Sequence, residues 1–174
     1  MAPKERTEIV ETLERSRQEF IAAVAGVDEA QAKVRPDAAR WSVLDCVEHV
    51  TMVEERFLGW LKVAQKLDTP RVDKEKEANL LVRVADRSAR AQSPEAVVPA
   101  GRFRTLEQAL EQFNANRTRS IEFAQERSDE LYSLAAEHPR FGPMNGVEFL
   151  IIVAAHGRRH AAQIQEVRGA LSAT

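Results

Sequence analysis

The chain has 174 residues, of which 44% are hydrophobic and 30% are charged, a composition typical of a compact globular domain rather than a fibre or a disordered tail. Its 25 basic and 27 acidic residues are interspersed and give a formal net charge of −2, which argues against nucleic acid or an anionic membrane surface as a partner. We therefore expect one domain, over residues 1–174, whose partner is a small molecule.

The first predicted element is a helix over about residues 4–25, which ends at Gly26. Steps of three and four residues place one largely apolar stripe along it, formed by Ile9, Leu13, Ser16, Phe20 and Val24. The opening segment, "MAPKERTEIVETLER", has no apolar core of the kind found in secretory signal peptides. We therefore expect the protein to be cytoplasmic.

A second helix is predicted to begin in "WSVLDCVEHV" and to continue to about Leu67. Ser42 and Asp45 have the spacing of a capping box, and Trp41 can pack back as a hydrophobic staple. Its spacing predicts an inward face formed by Cys46, His49 or Val50, Val53, Phe57 and Trp60. Because Cys46 is the single cysteine, a disulfide framework and a multi-cysteine metal site are excluded, and any metal must be held by histidine and carboxylate.

A long connection over residues 68–104 follows, with a short helix predicted over about 74–90. The third long helix is predicted to start at Thr105, with Gln108 at the capping-box position, and to end near Arg127. Arg117 interrupts the apolar stripe of this helix. It is expected either to line the open side of a pocket and meet an anionic substrate, or to extend along the surface towards solvent.

The fourth helix is predicted over about residues 146–168, after a loop that ends in "EHPRFGPMNG". Prolines and a glycine disfavour helix in that loop, and Asn145 with Glu148 forms the next capping signature. His138, inside the loop, is predicted to be a surface or packing residue rather than a ligand. The longest apolar run, "FLIIVAA" at 149–155, is too short to cross a bilayer.

Four amphipathic helices of similar length are expected to bury their stripes together as an all-α four-helix bundle. The long crossover between the second and third helices can return the chain to its starting end. The expected order is therefore up-down-down-up, in which the second and third helices run parallel.

The segment "HGRRH" places His156 and His160 one helical turn apart, so both imidazoles can point towards one metal ion. Taken alone, the pair is a weak signal, because chance pairs at this spacing are common and a buried histidine is usually a core residue that neighbouring polar groups satisfy. In the up-down-down-up order, however, His49 lies at a similar depth in the bundle, because it is about 10 Å from the start of its helix while the pair is about 12–18 Å from the end of the fourth. A divalent cation bound by these three imidazoles would leave positions open for water, as in catalytic sites, and the donor set suits zinc or nickel.

Several nearby residues are candidates to support or adjoin this site. Asp45 lies one turn before His49 and Gln163 follows His160, and both are candidates to hydrogen-bond the ligands. Helix capping also explains Asp45, and Gln163 can equally face solvent. Cys46 is either a pocket residue or a small buried hydrophobe. Gly157 stands where the zincin motif has its catalytic glutamate, so peptide hydrolysis of that type is not expected.

The segments "WSVLDCVEHV" and "HPRFGPMNGVEFLIIVAAHGRRHAAQI" resemble the second and fourth helices of the DinB/YfiT-like superfamily. The resemblance implies an up-down-down-up four-helix bundle, a three-histidine metal site at His49, His156 and His160, and frequent homodimers. It also implies a range of activities, among them thiol-dependent S-transferases and isomerases that use mycothiol, bacillithiol or glutathione. Many relatives carry two adjacent histidines where this chain has Arg159 and His160, which leaves any catalytic role of that extra histidine without support here.

Two hypotheses about function follow. The first is a metal-dependent enzyme, a thiol S-transferase or a small-molecule hydrolase, in which the metal lowers the pKa of water or a thiol. The second is a non-catalytic stress-response or ligand-binding module that the metal stabilises. A third, metal-free interpretation treats the three histidines as satisfied core residues.

Overall fold

The computed structural model describes residues 3–88 and 92–172, and within these ranges the protein is mostly helical. The described residues form six α-helices, which are α1 Pro3–Val24, α2 Glu29–Lys33, α3 Val43–Lys62, α4 Lys74–Ala85, α5 Leu106–Glu126 and α6 Gly146–Ser172. Two 3₁₀ turns lie at Glu95–Val97 and Leu131–Ser133. None of the helices described is long and apolar enough to cross a membrane.

The four long helices that the sequence predicts are α1, α3, α5 and α6, and each packs against two of the others. Helix α1 contacts α5 and α6, and α3 contacts the same two helices, so the four surround a common core. The predicted short helix is α4, which lies along α6. The last two residues predicted for it, 89 and 90, are outside the described ranges.

Side-chain caps fix where these helices begin. At α3, Ser42 Oγ accepts the Asp45 N–H at 3.1 Å while Asp45 Oδ2 accepts the Ser42 N–H at 2.9 Å, which completes the predicted capping box. Asn145 and Glu148 form an equivalent pair of reciprocal hydrogen bonds at the start of α6. At α5, Thr105 Oγ1 accepts the Gln108 N–H, but the Gln108 side chain bonds the N–H of Arg104 instead. The predicted starts of α3, α5 and α6 are therefore confirmed, although the capping box at α5 is incomplete.

A small antiparallel sheet, which the sequence pattern does not predict, joins β1 Gln65–Lys66, β2 Leu134–His138 and β3 Gly142–Asn145 in that order. The segment expected to be a loop is thus largely a hairpin of β2 and β3. Pro143 lies in β3, an edge strand, where its missing N–H need not weaken the sheet. Gly142 has φ of 69°, a conformation that glycine adopts without strain.

The sheet also explains why α3 ends at Lys62 rather than at the predicted Leu67. Residues 65 and 66 pair with β2, and the Leu67 N–H donates to the Ser133 carbonyl at 2.8 Å. The backbone after Lys62 therefore bonds to another segment instead of extending the helix.

The core consists of two apolar clusters stacked along the bundle. The first contains the buried apolar residues between positions 53 and 61 of α3 and between 147 and 154 of α6. The second contains those between 43 and 50 of α3 and between 161 and 167 of α6. Their boundary on α6 falls between residues 154 and 161, so the "HGRRH" segment lies where the two clusters meet.

Candidate metal centre

Three imidazoles from two helices converge at this boundary. His49 comes from α3, and His156 and His160 come from α6. The candidate ligand atoms of the three lie within 4.8 Å of one another. His156 Nε2 is 3.1 Å from His49 Nε2 and 3.1 Å from His160 Nε2. The structure thus brings together the three residues that the sequence predicts as metal ligands.

The backbone orients the His49 ring. Its Nδ1 lies 2.7 Å from the Val97 carbonyl oxygen, and a carbonyl can only accept, so Nδ1 carries the proton and donates it. The neutral ring then has its lone pair on Nε2, the atom that faces the other two histidines. A hydrogen bond at the far nitrogen is the usual way in which proteins orient a metal-binding histidine.

Hydrogen bonds among the three rings do not satisfy all three Nε2 atoms. His49 Nε2 has no proton to give, and a single proton on His156 Nε2 can make only one well-aligned bond. His156 therefore cannot both donate to His49 and accept from His160. Among the described residues, the buried Nδ1 of His160 also has no hydrogen-bond partner. Each unpaired polar group costs about 1–3 kcal/mol, so this trio is not explained as a set of satisfied core histidines.

The spacing fits a divalent cation. Two nitrogens bound to tetrahedral zinc at about 2.0–2.1 Å lie about 3.3–3.4 Å apart, close to the 3.1 Å separations seen here. Imidazole is a ligand that suits zinc, copper and nickel. The donor set and its geometry thus fit a divalent metal without choosing among these ions.

Burial keeps the three rings neutral. Desolvation is the main cause that lowers the pKa of His49, and it lowers the pKa values of His156 and His160 well below the usual range, with neighbouring rings and arginines adding to the effect. A neutral imidazole has the free lone pair that a metal requires, whereas a protonated one does not. Three neutral rings are therefore available at neutral pH.

Trp41 covers one side of the trio. Its ring centroid is 4.8 Å from that of His49, and it stacks on His160 with centroids 6.0 Å apart and an interplanar angle of 18°. The sequence predicted Trp41 only as a helix staple, and no spacing rule distinguishes that role from contact with the histidines. The indole excludes water from this side. His49 and His160 are buried, whereas His156 is half-buried.

The two residues predicted to support the ligands have other partners. The Asp45 carboxylate accepts two hydrogen bonds from Arg35, at 2.8 and 3.1 Å, besides capping α3. Gln163 Oε1 accepts from Arg87 Nη1 at 3.1 Å. The interpretation of Asp45 as a helix cap is therefore correct. The side chain of Gln163 thus connects α6 to Arg87, which directly follows the C-cap residue of α4, and does not face open solvent.

The two pocket candidates are core residues. Cys46 is fully buried in the second apolar cluster, and burial raises the pKa of its thiol, so the thiol stays protonated. Arg117 is also fully buried and pairs with Glu54 at 2.9 and 3.1 Å while donating to the Leu13 carbonyl. The expectation that Arg117 lines an open pocket or extends into solvent is wrong, because its guanidinium is paired with Glu54 inside the bundle.

His138 lies apart from the other three histidines, as predicted. Its Nδ1 accepts the N–H groups of Arg140 and Phe141 at the hairpin turn. Its ring packs against Phe57, Trp60 and Phe149. It is therefore a packing residue of the hairpin.

Gly157 is a site where α6 packs too closely for any side chain. A Cβ there would lie 2.6 Å from Ser16 Oγ and 3.3 Å from Arg117 Nη2, and Ser16 is held by a 2.7 Å bond to the Ala154 carbonyl. The same crowding excludes a glutamate at this position, which gives a physical reason for the missing zincin residue.

We expect Gly157→Ala to lower the free energy of unfolding by about 1–3 kcal/mol, the range seen when atoms are forced into a packed core. Gly169→Ala is the matched control. It lies on the same helix with nothing within 4 Å of its Cβ, and we expect it to be neutral or to stabilise by up to about 1 kcal/mol. Urea unfolding of both variants measures the difference, and equal stability of the two would contradict the close packing.

Comparisons with known proteins identify the family and the fold. A family model described as the DinB superfamily matches residues 12–164. The uncharacterized protein YuaE of Bacillus subtilis (strain 168) is 22% identical over 143 residues, which is 82% of this chain and 86% of YuaE. The structure of YfiT from Bacillus subtilis, a probable metal-dependent hydrolase with an unusual four-helix bundle topology, matches with a TM-score of 0.61. That match covers 99% of this chain and 90% of YfiT at 14% identity, and at this identity the likeness establishes the fold alone.

Proposed function

This chain belongs to the DinB superfamily, and from that membership and its three converging histidines we propose that it is a metal-dependent hydrolase of a small molecule. The observation that carries the proposal is the pair of 3.1 Å contacts between imidazole Nε2 atoms, which hydrogen bonds cannot both satisfy. YfiT, whose fold this chain shares, is itself a probable metal-dependent hydrolase.

His49, His156 and His160 would hold the ion, through Nε2 in each case. When bound, zinc or nickel supplies Lewis acidity, which lowers the pKa of a water or thiol in an open coordination position and polarises a substrate oxygen. The chain's own part is to fix the three rings and to keep them neutral in an apolar interior.

The position of each ring indicates how a substrate would approach. His49 is held by the Val97 carbonyl, and Trp41 covers His49 and His160. The half-buried His156 is the member of the trio with the most remaining exposure. We infer that a small substrate enters on the His156 side.

The trio brings no carboxylate with it. Among the described residues, the group of side chains that can hold a metal contains three histidines and no aspartate or glutamate. Glu48 and Glu54, the buried carboxylates nearest in sequence to His49, bond backbone amides and Arg117. Proton transfer in the reaction would therefore depend on the ligand water and on the substrate rather than on a carboxylate base.

A thiol S-transfer is the second candidate. A divalent metal held by the three imidazoles would also bind a thiolate, because a thiol that coordinates such an ion is deprotonated. The buried Cys46 does not supply that thiol, because it is protonated and packed. The thiol would then be a separate low-molecular-weight molecule, and the electrophile would replace the hydrolysed substrate. The alternative to both reactions is a ligand-binding module in which the metal only stabilises the bundle.

We also propose the up-down-down-up order for the bundle. Asn116 of α5 bonds the Thr51 carbonyl of α3, and Ser120 bonds Glu54, which supports parallel α3 and α5. Ser16 of α1 bonds the carbonyl of residue 154, and the carbonyl of residue 23 accepts from residue 168, which supports parallel α1 and α6.

The test is turnover by protein loaded with one equivalent of zinc or nickel and offered two sets of substrates. The first set contains chromogenic esters and amides, and the second pairs a low-molecular-weight thiol with an aromatic electrophile. We expect metal-dependent hydrolysis that His156→Ala abolishes and His138→Ala retains. Turnover of only the thiol set would favour S-transfer. Stabilisation by metal without turnover of either set would favour the binding module.

A further inference from the structure

We propose that Glu48 is a positioning residue of the metal centre, because it anchors the backbone segment whose Val97 carbonyl orients His49. This inference rests on the proposed metal function but is carried by separate contacts. The sequence pattern assigns no role to Glu48, and the partners of its carboxylate are backbone amides rather than the three Nε2 atoms. Its effect would pass through the backbone of residues 97–103.

Glu48 is 1% exposed, and its partners are backbone amides. Oε1 accepts the N–H of Ala100 at 2.6 Å and that of Gly101 at 3.1 Å, and Oε2 faces the N–H of Phe103 at 3.5 Å. A buried carboxylate is tolerated when hydrogen bonds replace its hydration, and such charge-assisted bonds are short and strong. These contacts hold the segment to α3 without any regular secondary structure of its own after the turn at Glu95–Val97.

The same segment supplies the partner of His49. The Val97 carbonyl, three residues before Ala100, accepts the His49 Nδ1–H at 2.7 Å. Glu48 and His49 are consecutive on α3, so their side chains leave the helix about 100° apart. The segment contacts both side chains. Its amides at Ala100 and Gly101 donate to Glu48, and its Val97 carbonyl accepts from His49. A change at Glu48 therefore reaches the His49 ring through three residues of backbone.

A matched control exists on the same helix and segment. Glu55 pairs with Arg102 at 2.6 Å, but both side chains are nearly half exposed. Exposed pairs of this kind contribute little, whereas loss of Glu48 leaves three amide N–H groups without their acceptor. Comparison of Glu48 with Glu55 thus separates the buried anchor from a general attachment of the segment.

The experiment compares wild type, Glu48→Ala, Glu48→Gln and Glu55→Ala. Zinc affinity is measured by competition with a chromophoric chelator, and the visible spectrum of cobalt-loaded protein reports the ligand geometry. Long-range ¹⁵N–¹H NMR of the metal-free protein reports which His49 nitrogen carries the proton. We expect Glu48→Ala to weaken zinc binding by about 10- to 100-fold, as loss of an outer partner does, to alter the cobalt spectrum, and to mix the His49 tautomers. Glu48→Gln retains one acceptor oxygen and should restore part of each signal.

Glu55→Ala should match wild type in all three measurements. Wild-type affinity, cobalt spectrum and a single Nδ1–H tautomer in folded Glu48→Ala would overturn the inference. If Glu48→Ala does not fold, the isosteric Glu48→Gln decides, and behaviour identical to wild type would overturn it. If wild-type protein binds no metal, the proposed function fails, while the His49 tautomer in the metal-free variants still tests the role of Glu48.

Discussion

His156→Ala is expected to abolish metal binding by a protein that otherwise takes up about one equivalent of zinc or nickel. His156 is the central ring of the trio, with its Nε2 3.1 Å from each of the other two. Its loss leaves two ligands on different helices, and we expect a fall in affinity larger than the roughly 10- to 100-fold caused by removing an outer partner. Elemental analysis of protein prepared without a histidine tag measures the stoichiometry.

His49→Ala should also abolish metal binding. This result would show that α3 and α6 contribute ligands to one site. His138→Ala is the control, because its ring accepts two backbone N–H groups at the hairpin and packs on aromatic residues. It should retain a full equivalent. Added zinc should also raise the melting temperature of wild type and of His138→Ala, but not that of His49→Ala or His156→Ala. The reason is that an ion bound only to the native state stabilises it by mass action. Equal metal content in wild type and His156→Ala would refute the site.

The convergence of the three histidines could be predicted from the sequence because it depends on two simple quantities. The spacing of four residues puts His156 and His160 on one helix face, and the rise of about 1.5 Å per residue puts His49 at a similar depth. What orients the trio could not be predicted. The Val97 carbonyl and the Trp41 ring reach the histidines through the path of a connection and the packing of an indole, and neither leaves a periodic pattern.

The fold shows the same division. Helix starts were predictable because caps are local, as at Ser42 and Thr105. The hairpin of β2 and β3 was predicted as a loop, since Pro143 and Gly142 are breakers by composition although an edge strand tolerates them. The five-residue helix α2 is too short to show a period. The buried position of Arg117 could not be predicted, because its partner, Glu54, is distant in sequence and lies on another helix.

Arg117→Ala is expected to lower the free energy of unfolding by about 3–5 kcal/mol, the cost of breaking a buried ion pair on one side. The variant strands the Glu54 carboxylate, which is 2% exposed and would keep only the hydroxyl of Ser120 at 2.7 Å. It also frees the Leu13 carbonyl, which Arg117 binds at 2.8 Å. Because a whole domain is stable by only about 5–15 kcal/mol, this single change should be visible as a large shift in the urea midpoint.

Arg119→Ala is the matched control, since that residue is on the same helix but exposed, and its effect should stay within about 0.5 kcal/mol. A double variant, Arg117→Met with Glu54→Leu, should recover much of the loss, because well-packed apolar side chains can replace a buried pair. Equal unfolding midpoints for Arg117→Ala and Arg119→Ala would show that the buried pair contributes nothing to stability.

The distance along the chain between the candidate ligands has a consequence for synthesis. His49 and His156 are 107 residues apart, so α6, the second helix that would contribute ligands, is made long after α3. A ribosome-bound chain that ends within α5 would present one imidazole to the metal and would compete poorly for it in the cell. Metal loading would then wait until α6 has left the ribosome and packed against α3. Because two of the three candidate ligands, His156 and His160, lie on α6, any detachment of α6 should release the metal at once.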